Sequence, residues 1–418
     1  MKYALIIPDG AADYPLDELD GRTPFEAARK PNMDRVSTAG RQGTVATTPD
    51  GFPCGSDVCT MSLLGYDPGR YHKGRAPLEA AALGIDLAPT DWVFRVNLVT
   101  VIDGRMQDHS AGHITCDEGR KLLTDLAQRL VGSPQWADLV LYPGVSYRNI
   151  MVDTSGSEGG AAAAPSGGRD WSSLKTTPPH DVPGEPIRKF LPTGGPHAKL
   201  LQQMIAESEV FFANHEINLT RRELGELPAT HVWPWGQGRR PTMPSFASRF
   251  GLRGAMITAV DLLAGIAAFI GWDRLDVPGQ TSYHDTDYAA AGRCGAAALD
   301  DYDIVCIHVE APDEASHQAD ARTKVAAIEA IDEFVVGPVL AALEGRGDGW
   351  RLLVLPDHYT RVATRKHDPT PVPFAMCGQC VNAVLKQPFC EAAANASDLH
   401  IEHGHELMEY FLRSGLVS

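Results

Sequence analysis

The sequence predicts an α/β fold, an open and mostly parallel sheet with helices on both faces, and three short apolar runs carry that expectation. Residues 3–7 (YALII) lead into Pro8-Asp9-Gly10, residues 304–309 (IVCIHV) are followed by Pro312-Asp313, and residues 352–355 (LLVL) lead into Pro356-Asp357-His358. Short runs of β-branched residues and leucine, bounded by proline, read as strands buried on both faces of a parallel sheet. Proline has no N–H to give the ladder, so it marks where each strand stops. Open α/β sheets bind their ligands beyond the carboxyl ends of the strands, which puts three aspartates on the functional edge. A fourth pair, Pro49-Asp50, follows no apolar run, so the dipeptide alone carries no weight.

The intervening segments fit the same class. Residues 20–24 (DGRTP) introduce a helical stretch over 25–29, and Pro31 opens another. Residues 322–343 place Val325, Ile328, Ile331, Val335 and Val339 at helical spacing with acids on the other face, and residues 404–412 form a short closing helix. The middle of the chain differs. Strand-like segments at 93–102 and 139–152 surround one helical stretch over 116–131, the pattern of a smaller α+β domain inserted into the first. The expected division is a core of residues 1–85 and 193–418 with an insertion at 86–192, reasonable for 418 residues. A Gly/Ala/Ser tract at 154–168 cannot pack a core and is expected to form a surface loop.

Composition narrows the function classes. With 53 acidic and 37 basic residues the net charge is −16, which disfavours a nucleic-acid binder or a protein held on an anionic membrane. A small anionic substrate would then need local arginines or metal ions. No run of 18 apolar residues is present, and the first residues enter a strand directly rather than a basic, signal-type segment, which points to a cytoplasmic location. The eight cysteines are scattered, apart from Cys377-Gly-Gln-Cys380, and are expected to be reduced thiols rather than a disulfide framework.

The chemistry-bearing residues cluster at the predicted strand ends. Asp313 and His317 stand four apart, so a helix starting after the second run would put both on one face. Asp357 and His358 are adjacent and could share an ion only across the turn that Pro356 announces. His367 follows in RKHDPTPVP, a proline-rich loop suited to folding back over a site. Imidazole and carboxylate donors together suit Mn, Zn, Mg or Co. In Cys54-Gly55-Ser56-Asp57 a helix can begin at once, placing Ser56 at its N-terminus, where backbone N–H groups favour a phosphate. A serine there also reads as a simple N-cap, and an aspartate after a strand as a helix cap. A hydroxyl beside a divalent cation is a nucleophile near neutral pH.

Together, PDG at 8–10, GSD at 55–57 followed by LGYDP at 64–68, GRAPLEA at 74–80, APDEASH at 311–317, Asp357-His358 and HDPTPVP at 367–373 resemble the archaeal-type cofactor-independent phosphoglycerate mutases of the alkaline phosphatase superfamily. The resemblance runs from the first strand to the last helix. It implies an alkaline-phosphatase-like core and a transiently phosphorylated Ser56. It implies two divalent metal ions, manganese first, one on Asp313, His317 and His367 and the other on Asp9, Ser56, Asp357 and His358. The implied reaction interconverts 3-phosphoglycerate and 2-phosphoglycerate, with the inserted domain as a lid. Arg75, Arg95 and Arg148 are candidate clamps for the small anionic phosphorylated substrate, since guanidinium grips carboxylate or phosphate bidentately. His113 stands where the archaeal mutases are expected to carry arginine. Residues 176–181 and 233–238 are closer to a bacterial branch proposed to act as homoserine kinase, so a phosphotransferase or a phosphatase using the same site is the alternative. An oligomer is left open.

Overall fold

A computed structural model describes residues 1–157 and 168–415. Most of the Gly/Ala/Ser tract, expected to be a surface loop, lies outside the described residues. In chain order the strands are β1 (Lys2–Pro8), β2 (Arg41–Val45), β3 (Trp92–Ile102), β4 (Arg105–Asp108), β5 (Leu139–Val145), β6 (Arg148–Asp153), β7 (His231–Arg239) and β8 (Gly254–Ile257). They continue with β9 (Asp273–Arg274), β10 (Ile304–Val309), β11 (Trp350–Val354), β12 (Tyr359–Arg361), β13 (Lys366–Asp368), β14 (Val372–Gly378) and β15 (His400–Ile401).

The chain divides into two compact units. The first, residues 1–72 and 243–418, is built on an eight-stranded sheet in the order β15-β2-β14-β11-β1-β10-β8-β9. Only β14 runs antiparallel to its neighbours. The three predicted runs are the three central strands β11, β1 and β10. Ala4, Leu5, Ile6 and Ile7 are completely buried, as are Ile304, Cys306 and Ile307, which is why these strands carry no polar alternation. The helical pattern expected over 322–343 resolves into helix Ala321–Ile331, a π turn Asp332–Val336 and helix Gly337–Glu344. Pro338 cannot donate to the carbonyl four residues back, that of Phe334. Gly292 packs at that carbonyl, where a Cβ would lie 1.9 Å from the oxygen.

The second unit, Lys73–Thr242, holds an antiparallel sheet with the long β3 between β6 and β7, and with β4 and β5 at its margins. The helices Cys116–Val131 and Ala198–Phe212 pack Leu122, Leu126, Leu201, Met204 and Phe212 into its core. The expected boundaries at 86 and 192 therefore fall inside this unit. β7 pairs with β3 from Trp92 to Val99, which binds residues beyond 192 to the second sheet. The segment 139–152 is two strands of a hairpin, turning at Ser146 with φ 57°.

Candidate active site

Strand register brings the first groups together. Pro8 lies opposite Val309 and Ile6 opposite Val354, so β1, β10 and β11 end side by side. Asp9 follows β1 directly. Beyond β10 the helix Ala311–His317 starts within two residues and carries Asp313 and His317, and beyond β11 the chain bends through Asp357 and His358. Gly10 sits at φ 59°, and a Cβ there would lie 2.6 Å from Asp313 Oδ1, so glycine lets the first loop close on the second. The Gly10 and His358 N–H groups both donate to Asp357 Oδ1, at 3.1 and 3.0 Å. That fixes the carboxylate and leaves its Oδ2 buried without a donor, as Asp9 Oδ1 also is.

Ser56 is the first residue of the helix Ser56–Leu63, behind Gly55 at the cap. Its hydroxyl does not cap that helix. It donates to Asp9 Oδ2 at 3.1 Å and lies 3.3 Å from His358 Nε2, and the residue is half-buried, so the oxygen is reachable.

The three histidines are held in one orientation through Nδ1. His317 Nδ1 meets the carbonyl of Arg365 at 3.0 Å, and His367 Nδ1 meets that of Cys54 at 3.2 Å; only a protonated Nδ1 makes those bonds. Thr360 donates its hydroxyl to Asp313 Oδ1 at 2.5 Å and so accepts from His358 Nδ1 at 3.0 Å. Each ring thus turns its Nε2 inward, and where that nitrogen gives up its proton the lone pair suits a metal ligand. His317 Nε2 lies 3.2 Å and His367 Nε2 3.4 Å from the Asp313 carboxylate, and the two nitrogens are 3.0 Å apart. His358 stacks on His367 with ring centroids 4.1 Å apart. His367 reaches this position from β13, paired with β12 at Thr360, so a short hairpin rather than a proline-rich loop carries it.

Electrostatics sharpen the picture. Burial, then the charges of Asp357, Glu310 and Asp313, push the Asp9 carboxyl well above its ordinary range. Burial would raise Asp313 too, but hydrogen bonds from His317 and His367 outweigh it and hold that carboxyl well below. Burial lowers His367, and the bond and charge of Asp313 overcome it and bring the ring up to about 9. Among the described residues, three groups have ligand atoms close enough for one ion: Asp313 with His358 and His367, Asp9 with Asp357 and His358, and Asp9 with His308 and Glu310. Orphaned carboxylate oxygens beside inward imidazole nitrogens fit divalent cations with mixed nitrogen and oxygen donors. His358 borders both of the ligand sets expected from the sequence. His308 and Glu310 belong to neither. His308 Nε2 is 2.8 Å from Asp9 Oδ2, and its Nδ1 is 3.3 Å from Thr258 Oγ1.

Below the site runs a second buried charge network. Lys324 Nζ, with no exposed surface, donates to Thr360 O (2.7 Å), Ala12 O (3.2 Å) and Asp13 Oδ2 (3.1 Å). The Asp13 N–H and the Thr23 hydroxyl satisfy the two oxygens of Glu391.

In the second unit the candidate clamps gather on one sheet region. Arg95 lies over Trp235 at 4.1 Å and pairs with Glu79 at 2.9 Å. Burial lowers its pKa, Glu79 opposes this, and the charges of Arg75 and Arg148 lower it further, so the three guanidiniums sense one another. Arg75 and Arg148 are exposed. His180 stands 5.2 Å from Trp235 and 6.1 Å from His109 by ring centroids. Two imidazoles that the sequence reading did not single out thus border the arginines, while His113 is exposed in a left-handed turn at φ 52°.

A mostly parallel α/β sheet that concentrates its polar groups at the strand ends defines an enzyme of the kind that works beyond that edge. The family model described as 2,3-bisphosphoglycerate-independent phosphoglycerate mutase matches residues 37–218. The protein of that name numbered 2 in Methanothermobacter thermautotrophicus is 43% identical over 99% of this chain and 97% of its own. The mutase of Methanothrix thermoacetophila is also 43% identical, over 99% of this chain and all of its own. The chain belongs to the family of 2,3-bisphosphoglycerate-independent phosphoglycerate mutases. A solved protein from Pyrococcus horikoshii shares its architecture with a TM-score of 0.80 at 26% identity, covering 98% of this chain and 96% of that one. The cofactor-independent phosphoglycerate mutase of Thermoplasma acidophilum shares the fold with a TM-score of 0.67 at 24% identity, over 99% of both. Among the described residues no helix is long and apolar enough to cross a membrane.

Proposed function

We propose that the protein interconverts 3-phosphoglycerate and 2-phosphoglycerate by passing the phosphoryl group through Ser56. The observation that carries this reading is the Ser56 hydroxyl itself, 3.1 Å from Asp9 Oδ2 and 3.3 Å from His358 Nε2, beside the orphaned oxygens of Asp9 and Asp357. Two divalent ions, manganese first, on Asp313, His317 and His367 and on Asp9, Ser56, Asp357 and His358, would acidify the hydroxyl and offset charge on the phosphoryl oxygens. Ser56 Oγ attacks phosphorus, the bond to the C3 oxygen breaks, and the freed glycerate later takes the group back on its C2 oxygen. Asp9 accepts the hydrogen bond that orients Oγ for attack. Arg75, Arg95, His113 and Arg148 hold the carboxylate and the non-reacting end of the substrate, and the second unit acts as a lid that keeps water from the phosphoserine.

Phosphorus NMR of purified protein with manganese and 3-phosphoglycerate should show 2-phosphoglycerate. Free phosphate would make it a phosphatase. No turnover without a nucleotide and an added hydroxyl acceptor would favour the phosphotransferase alternative. Arg148→Ala should weaken use of phosphoglycerate while sparing hydrolysis of a generic aryl phosphate, because a clamp on the non-reacting end acts through uniform binding. His113→Arg that leaves turnover unchanged would remove His113 from the substrate contacts.

A further inference from the structure

The start of the helix that carries Ser56 holds two thiols that the proposed reaction does not use. Cys54 stands two residues before Ser56, ahead of the Gly55 cap, and Cys59 lies three residues after it, where its N–H donates to the Gly55 carbonyl at 2.9 Å. The two thiols interact directly, and Thr48 borders both, with its hydroxyl oxygen 3.3 Å from Cys59 Sγ. Their access to solvent differs: Cys54 is half-buried, whereas Cys59 has no exposed surface. Cys54 also meets the site through its backbone, because its carbonyl accepts the bond from His367 Nδ1 at 3.2 Å.

We propose that Cys54 and Cys59 form a peroxide-sensitive pair that takes Ser56 out of action by closing a disulfide. The consequence for turnover rests on the reading of Ser56 as the nucleophile; the thiol chemistry does not. An oxidant in solvent reaches Cys54 and not Cys59, which assigns their roles. Cys54 Sγ attacks one oxygen of hydrogen peroxide, the O–O bond breaks, and the thiol proton leaves with the other oxygen as water. Cys54 is thereby oxidised to a sulfenic acid and the peroxide is reduced. Cys59 Sγ then attacks Cys54 Sγ, the S–O bond breaks, and the hydroxyl departs with the Cys59 proton as a second water. The new S–S bond is about 2.0 Å long, well inside the contact distance of two separate thiols. Cys59 is fixed by its helix, so Cys54 must move, and the His367 anchor and the turn into Ser56 move with it. A dithiol reverses the bond by exchange.

The test is peptide mass read beside turnover. Residues 42–70 form one tryptic peptide, which contains Cys54 and Cys59 and no other cysteine. Full-length protein treated with hydrogen peroxide in chelator, then alkylated, should yield this peptide unalkylated and lighter by two hydrogen atoms. Turnover of 3-phosphoglycerate after return to manganese should fall in proportion to the lighter peptide, and dithiothreitol, removed by gel filtration before the assay, should restore both. Cys59→Ala should start with parental turnover and, after peroxide with dimedone present, carry the dimedone adduct on Cys54. In Cys54→Ser the Cys59 thiol should stay reduced. A peptide that keeps both thiols open to alkylation while the exposed Cys116 and Cys380 are oxidised would overturn the pair. Oxidation of Cys59 in Cys54→Ser would overturn the assigned roles, and a disulfide that leaves turnover intact would overturn its hold on Ser56. A parent protein with no phosphoglycerate turnover would sink the mutase reading instead, and the peptide mass would still decide the thiol chemistry.

Discussion

Two clusters of buried charge lie close together in the first unit, and they are completed in different ways. Around Lys324, the ammonium has three acceptors, Asp13 Oδ2 has the donors Lys324 and Val362 N, and both oxygens of Glu391 are bonded. At the strand ends, Asp9, Asp357 and Glu310 each keep an oxygen with no donor. Burying charge costs free energy unless the group is paired, and the first cluster meets that condition with protein groups alone. The second falls short by an amount that a cation would supply. The difference separates charge that holds the fold together from charge that is kept ready for chemistry.

Ser56→Ala should break the chemistry without touching either cluster's charge. Turnover should fall by at least about ten thousandfold, the scale seen when a nucleophile is removed. Manganese content should largely persist, since one ligand of one ion is lost, and phosphopeptide mapping of the parent protein should find the label on Ser56. Label on another residue would refute the assignment.

Lys324→Met should act on the opposite cluster. It leaves the Asp13 carboxylate buried without its cation, a loss of about 3–5 kcal/mol. Denaturant midpoints should fall by the same amount with and without manganese, because the network is complete without metal. A loss that vanishes when manganese is added would merge the two clusters into one.

The contrast also marks how far the sequence could be read. Asp9, Asp313, His317, Asp357 and His358 are legible because strand ends are legible: apolar runs stop at proline and the polar residues follow, whereas His367 comes from a hairpin that the sequence reads as a proline-rich loop. His308 lies inside the run 304–309, and in a strand buried on both faces every position reads as core. The pattern His-x-Glu just before Pro312-Asp313 is the signal that could have found it. Lys324 falls on the apolar face of its helix with Ala327, Ile328 and Ile331, where a lysine reads only as an interruption, and its partners Ala12, Asp13 and Thr360 come from distant parts of the chain. β7 carries Pro234, Gly236 and Gly238, which hide a strand from propensity, so the second unit extends further along the chain than composition suggests.

Glu391 offers a smaller and pH-dependent test. Burial outweighs its hydrogen bonds and the charge of Lys324 and raises the carboxyl from 4.5 to about 7. Below the lower value both folded and unfolded chains hold the proton. Between the two values the unfolded chain releases it and the folded chain does not, so stability falls as pH rises through this window and is level above it. The loss is at most about 3 kcal/mol. Glu391→Gln, measured by urea denaturation in chelator, should flatten that slope. A slope that survives the substitution would assign it to another group.

The smallest effect is the one that sets the two clusters against each other most directly. Asp9 is raised by its own burial and then by the charges of Asp357, Glu310 and Asp313, so in the absence of metal its carboxylate opposes folding. Asp9→Asn keeps the shape, removes the ionisable group and leaves an amide oxygen for the bond from His308. In chelator the variant should be more stable than the parent, by about 1 kcal/mol for each pKa unit relieved. In manganese the order should reverse, because ligand binding stabilises the parent by an amount set by concentration and affinity, and the variant has lost a ligand of the site. Paired thermal melts in chelator and in manganese read both signs. A variant less stable than the parent under both conditions would mean that Asp9 is a structural group like Asp13, and the distinction between the two clusters would fall.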